Sequence, residues 1–193
     1  MVAAPAFAQG FRGTGGDDRL VGTGSADRIF GLAGSDSLAG RGGGDEIRGG
    51  RGSDVVLGQR GRDSLQGNGG DDFVRGGNGL DFLWGNGGYD YLYGDSQPDA
   101  IAGGGGMDII FGGGGKDIIY GGAGGDVINP GFGADRVQSG AGSDLIEVRR
   151  DGKVDRIDCG GGVDTVAYVG SRDARDRLTG CESVVTGEPF GDW

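Results

Sequence analysis

Histidine is missing from this chain altogether, and lysine nearly so, with two lysines against sixteen arginines in 193 residues. Without imidazole there is no usual general base, no Ser-His-Asp or Cys-His nucleophile, and no commonest zinc ligand. Clustered cations are equally scarce. The net charge is −11 and Arg149-Arg150 is the one doubled basic pair, which excludes the phosphate-neutralising surface that nucleic acids require. No apolar run is long enough to span a membrane. Adjacent acids such as Asp17/Asp18 and Asp71/Asp72 have the look of the paired carboxylates of glycoside hydrolysis. Asp18 and Asp72, however, belong to a regular series that gives them another use, so no catalytic residue is assigned and the chain is not read as an enzyme.

Glycine and aspartate are abundant instead: 51 residues are glycine, and 25 of the 29 acidic residues are aspartate. Aspartate recurs at every ninth position, fifteen times in succession: Asp18, Asp27, Asp36, Asp45, Asp54, Asp63, Asp72, Asp81, Asp90, Asp99, Asp108, Asp117, Asp126, Asp135 and Asp144. An aliphatic residue follows each by two positions, and glycine precedes it by four to five. The clearest copies are Gly49–Leu57 (GGRGSDVVL), Gly76–Trp84 (GGNGLDFLW), Gly103–Phe111 (GGGGMDIIF), Gly112–Tyr120 (GGGGKDIIY) and Gly121–Asn129 (GGAGGDVIN). A fixed period with a fixed internal pattern means a solenoid in which every repeat does the same small job.

Each repeat divides into six glycine-rich residues, suited to a tight turn that other residues cannot follow, and an extended triplet such as Asp117-Ile118-Ile119. One turn and one strand make half a coil, so two repeats return the chain to the same edge. Asp18, Asp36, Asp54 and their successors then stack on one edge, and Asp27, Asp45, Asp63 and theirs on the other. The aliphatic positions form two interior ladders. One runs from Leu20 and Leu38 to Ile128 and Ile146, the other from Ile29 and Ile47 to Ile119 and Val137, and neither contains a polar residue. Calcium takes six to eight oxygen ligands, mixing carboxylates with backbone carbonyls. Stacked aspartates and exposed glycine carbonyls supply that mixture.

The repeat GGxGxDxUx, fifteen times in phase, resembles the RTX family of secreted β-roll proteins over Gly13 to Glu147. The resemblance implies an all-β architecture: a right-handed parallel β-roll, a two-sheet solenoid of nine-residue half-coils, with a small C-terminal cap. It also implies calcium wedged between successive turns on each edge. Eight stacked turns on one edge and seven on the other set a ceiling of thirteen sites. The candidate ligands are all members of the aspartate series other than Asp27, whose turn carries Ser25 in place of the second consensus glycine. Gln97 before Asp99 and Pro130 before Asp135 depart from the consensus too, so fewer than thirteen ions are expected. One buried aliphatic per repeat is a thin core to set against ordering a glycine-rich backbone and crowding carboxylates. Folding is therefore expected to be coupled to calcium.

The expected organisation is a signal-like or disordered terminus over residues 1–12, the repeats over 13–147, C-terminal repeats and a capping segment over 148–186, and a flexible tail over 187–193. Ala6-Phe7-Ala8 fits a secretory cleavage site, although an incidental alanine-rich terminus reads the same. After Glu147 the phase slips by two residues and resumes at Asp155 and Asp164. Asp155–Val185 is similar to the ending of many actinobacterial secreted calcium-binding proteins, with Ser171–Leu178 left open between a short helix and a loop. Cys159 and Cys181 both fall in this segment, and an even count in an apparently secreted chain reads as one disulfide.

Phe82, Trp84, Tyr91, Tyr93, Phe111 and Tyr120 flank the buried aliphatics and form a candidate interaction strip for a second copy or a cell-surface partner. Aromatic residues that merely suit strands are the competing explanation. The expected function is that of an extracellular, non-enzymatic calcium-binding protein. A repeat module of a larger RTX enzyme or adhesin, or a cell-surface structural protein, is the alternative.

Overall fold

The computed structural model of the chain describes residues 9–187. Residues 1–8 and 188–193, and with them most of the signal-like terminus and of the C-terminal tail, lie outside the described residues. Twenty strands and no helix occur among the described residues, from Gln9–Arg12 to Ser183–Gly187. The chain deals its strands alternately to two ten-stranded sheets, all neighbours within a sheet being parallel. This is a parallel β-roll.

Register follows from the repeat. Val55, Val56 and Leu57 pair with Phe73, Val74 and Arg75, so each residue stacks on the residue eighteen positions away. Because side chains alternate across a strand, the middle member of each triplet faces inward. Ile29, Leu38, Ile47, Val56 and the successive aliphatics through Ile146 are at most 1% exposed. Leu20, in the first coil, is the one ladder member only partly buried.

The strands are longer than the expected triplets. Val55–Arg60 and Ser64–Gly69 are each six residues, joined by only Gly61, Arg62 and Asp63. The first glycines of each repeat continue the ladder around the bend, because coils in strict register can bond one another there as well: Gln59 and Arg60 pair with Gly77 and Asn78. Glycine is needed where the bend closes. Gly61 has φ 127°, and a Cβ on it would collide with the carbonyl oxygen of Gly43 one coil back.

The C-terminal segment adds two more coils to both sheets through Arg156–Asp158, Thr165–Val169, Arg177–Thr179 and Ser183–Gly187. Ser171–Leu178 is a turn leading into the strand at Arg177, not a helix. Val148, Ile157, Val166 and Tyr168 extend the core into this region. The Cys159–Cys181 disulfide joins two neighbouring coils there, across a separation of 22 residues.

Removing that cross-link releases a loop whose closure is worth about 3 kcal/mol on chain-entropy grounds. A Cys159→Ser/Cys181→Ser variant, saturated with calcium, should unfold at a correspondingly lower guanidinium concentration. An unchanged midpoint would show that the cross-link contributes nothing to stability.

Candidate metal centre

Every aspartate of the series sits at the corner between a turn and the next strand, and the two edges of the roll carry one row each. The coil repeat determines what the carboxylate meets. The backbone N–H of Asp36 donates to Asp54 Oδ1, that of Asp54 to Asp72 Oδ1 and that of Asp72 to Asp90 Oδ1, at 2.8–2.9 Å. The other row repeats this from Asp27 to Asp45, Asp63 and Asp81 at 2.8 Å. From Asp36 onward, one oxygen of each side chain is therefore consumed by the preceding coil.

The second oxygen is the unusual one. In Asp36, Asp45, Asp54, Asp63, Asp72, Asp81, Asp90, Asp99, Asp108, Asp117, Asp126, Asp135 and Asp144, Oδ2 is buried and has no hydrogen-bond partner. A buried carboxylate oxygen without a donor is costly, and here the cost repeats along both edges. From Asp36 to Asp126 the orphan oxygen lies in a cradle made by the glycine five residues earlier. A Cβ on Gly58 would stand 2.5 Å from Asp63 Oδ2 and 2.8 Å from the carbonyl oxygen of Gly76, one coil on. On Gly76 the corresponding distances are 2.7 Å to Asp81 Oδ2 and 3.1 Å to the Gly94 carbonyl. Carboxylate and carbonyl oxygens thus converge in a crevice between successive coils.

This donor set fits a hard cation. Among the described residues no three His, Cys, Asp or Glu side chains converge into a metal-holding group. A cation in these crevices must therefore combine one or two carboxylates with backbone carbonyls, a mixture calcium accepts and zinc does not favour. Eleven aspartates, Asp36 through Asp126, have both the orphan oxygen and the glycine cradle. At Asp135 and Asp144 the cradle position is occupied by Pro130 and Ser139 in place of glycine; Ser139 Oγ donates to the carbonyl of Cys159 at 2.6 Å.

Asp18 and Asp27 differ. Their Oδ2 atoms accept hydrogen bonds from the N–H groups of Thr14 and Thr23, at 2.6 Å in both cases. The rows also run further than the nine-residue phase: Asp135 N–H donates to Asp155 Oδ1, Asp144 to Asp164, Asp155 to Asp176 and Asp164 to Glu182 Oε2. Sequence reading stopped short of Asp176 and Glu182. The signal for Asp176 was the repeated triplet Asp155-Arg156-Ile157 and Asp176-Arg177-Leu178, masked by a three-residue insertion.

The structure divides the aromatic residues between two faces. On one sheet Phe73 packs at a tilt on Tyr93, centroids 5.3 Å apart, and Tyr93 stacks on Phe111 at 4.8 Å; on the other Phe82 stacks on Trp84. Ala102 stands between Trp84 and Tyr120 in the ladder, so these two do not adjoin.

The matches to known proteins agree with this geometry. The family model for the RTX calcium-binding nonapeptide repeat (4 copies) matches residues 12–47, 48–83, 66–101, 93–128, 102–137 and 130–148, a continuous span of a 193-residue chain. The chain belongs to this family. No curated protein matches it. RTX repeats bind calcium in general, and the crevices of this RTX roll present the oxygens that such binding requires.

Burial holds the RTX carboxyls well above their ordinary value of 3.8: Asp45, Asp54, Asp108, Asp117 and Asp126 rise to about 6, and Asp63, Asp72 and Asp135 to about 7. Loss of hydration is the main cause, and the N–H from the preceding coil works against it. Asp99, raised first by burial, reaches about 8 with the added repulsion of Asp81, Asp117 and Asp95. A carboxyl whose folded pKa exceeds its unfolded one takes up protons on folding. Its stabilising share is complete below about pH 4 and fades as the pH climbs through the folded values, roughly 6 to 8. In chelator, the chain should therefore gain β-sheet circular dichroism as the pH falls from about 8 to about 5. A signal independent of pH over that range would contradict the burial of the rows.

Proposed function

We propose that this RTX chain is a secreted, non-enzymatic calcium-binding protein whose roll folds as calcium enters the crevices along its two edges. The observation that carries the reading is the repeated buried carboxylate oxygen with no donor. Calcium supplies the positive charge that these oxygens otherwise lack. Each aspartate divides its work, Oδ1 holding the preceding coil and Oδ2 facing the ion, while a backbone carbonyl of the following coil completes the crevice. Asp36, Asp45, Asp54, Asp63, Asp72, Asp81, Asp90, Asp99, Asp108, Asp117 and Asp126 are the proposed ligands, which sets eleven crevices against the geometric ceiling of thirteen.

An extracellular setting agrees with the disulfide, which persists in oxidising compartments, and with extracellular modules that bind calcium with dissociation constants of about 10⁻⁴–10⁻³ M. The non-enzymatic reading rests on the absence of histidine and on the use of the regular aspartates as structural acceptors.

Far-UV circular dichroism of chelator-treated protein tests this directly. Calcium titration should give a cooperative gain of β signal near neutral pH, and magnesium should not. A spectrum already folded in chelator and indifferent to calcium would refute the coupling. Within the rows, Asp72→Asn should raise the calcium needed for folding by roughly tenfold, equivalent to about 1.4 kcal/mol. Asp158→Asn, exposed and outside the rows, should leave it unchanged. Equal midpoints for the two variants would remove the rows from the binding sites.

A further inference from the structure

The aspartate series contains two kinds of turn. In those leading to Asp36 through Asp144, the residue four before the aspartate and the residue two before it both have positive φ; Gly50 at 131° and Gly52 at 114° precede Asp54 in this way. The first of these places is filled six times by a residue other than glycine: Leu32, Arg41, Gln59, Asn68, Asn86 and Asp95, with φ from 74° to 87°. In the turns leading to Asp18 and Asp27 the same places hold Thr14 with Gly16 and Thr23 with Ser25, and none of these four has positive φ.

Side-chain branching explains the division. The left-handed region is sparsely open to any residue with a Cβ and is a genuine outlier for one branched there. The six residues that adopt it are all unbranched at Cβ. Threonine keeps its backbone out, and the turn closes differently. Thr14 and Thr23 aim their N–H groups at Oδ2 of Asp18 and Asp27 at 2.6 Å, and their hydroxyls donate to the same oxygens at 2.9 Å. Each hydroxyl in turn accepts the N–H of the residue two further on, Gly16 at 3.3 Å and Ser25 at 3.2 Å. The oxygen that is an orphan elsewhere receives two hydrogens here.

We infer that the first coil dispenses with calcium, threonine N–H and hydroxyl standing where the ion stands in later turns. The calcium rows then begin at Asp36 on one edge and Asp45 on the other. A cation entering beside Asp18 or Asp27 meets two hydrogens directed at its principal ligand and must break both bonds to bind. Beside Asp36 and its successors it meets oxygens only. The cradle is not what differs, because Gly13 and Gly22 stand before Asp18 and Asp27 just as Gly31 stands before Asp36; the donors are. This arrangement suits the end of a row. Asp27 Oδ1 has no donor, since no aspartate of a preceding coil offers it an N–H among the described residues. The family model, matching residues 12–47 as one stretch, does not separate the two kinds of turn. The inference rests on the proposed calcium binding of the roll.

Counting ions tests it. In native mass spectrometry of the calcium-saturated full chain, Thr14→Gly/Thr23→Gly should carry two more calcium ions than the parent. Leu32→Thr, which places threonine in the first left-handed turn of its edge, should carry one fewer. The inference is overturned if the glycine variant binds the same number as the parent, or if Leu32→Thr loses none. Circular dichroism in calcium establishes that each variant folds, and if the glycine variant does not, the count for Leu32→Thr decides alone. A parent chain that binds no calcium would instead refute the calcium reading itself, and with it this inference.

Discussion

A carboxylate with one oxygen tied to the backbone and the other buried without a donor is the constraint around which this RTX roll is organised. Repeated along two edges, it makes the metal-free fold electrostatically expensive and gives a cation a ready place. The aliphatic ladders hold the two sheets together, but they supply only one side chain per repeat. On the proposed reading, what distinguishes folded from unfolded conditions is the charge at the corners more than the apolar interior. A proton can relieve the same charge, which explains why the carboxyls shift upward as far as they do.

The glycines serve that constraint in two separate ways. Those five residues before each aspartate, such as Gly58, leave room for the orphan oxygen and bring it beside a carbonyl. Those two residues before it, such as Gly61, close the bend in a left-handed conformation against the preceding coil. The repeat is thus less a flexible linker than a sequence of positions that must lack a side chain for two different reasons. In the first two turns the corner has another arrangement, in which threonine gives Oδ2 two hydrogen bonds.

Most of the fold was legible in the sequence because register in a solenoid is set by the repeat. Val56 stacks on Val74 and Ile110 on Ile128 for no other reason than the eighteen-residue interval. Strand length was not legible, because the glycine positions that read as turn join the ladder once a neighbouring coil lies alongside. The rows of aspartates were visible to Asp144 and, after a two-residue slip, at Asp155 and Asp164. Their continuation to Asp176 was obscured by a three-residue insertion, and to Glu182, at the regular eighteen-residue interval, by the change from aspartate to glutamate; neither breaks the N–H to carboxylate chain. Among the differences between the turns before Asp18 and Asp36 is Thr14 against Leu32, whose effect depends on backbone φ and so emerges only in three dimensions.

The most direct test of the account is a crystal structure of the calcium-loaded protein with the ions located by their anomalous scattering. The account predicts ions between successive coils, within about 2.3–2.6 Å of Oδ2 in Asp36 through Asp126. Ions confined to the outer surface, or an interior in which these oxygens accept hydrogen bonds from the protein instead, would contradict it.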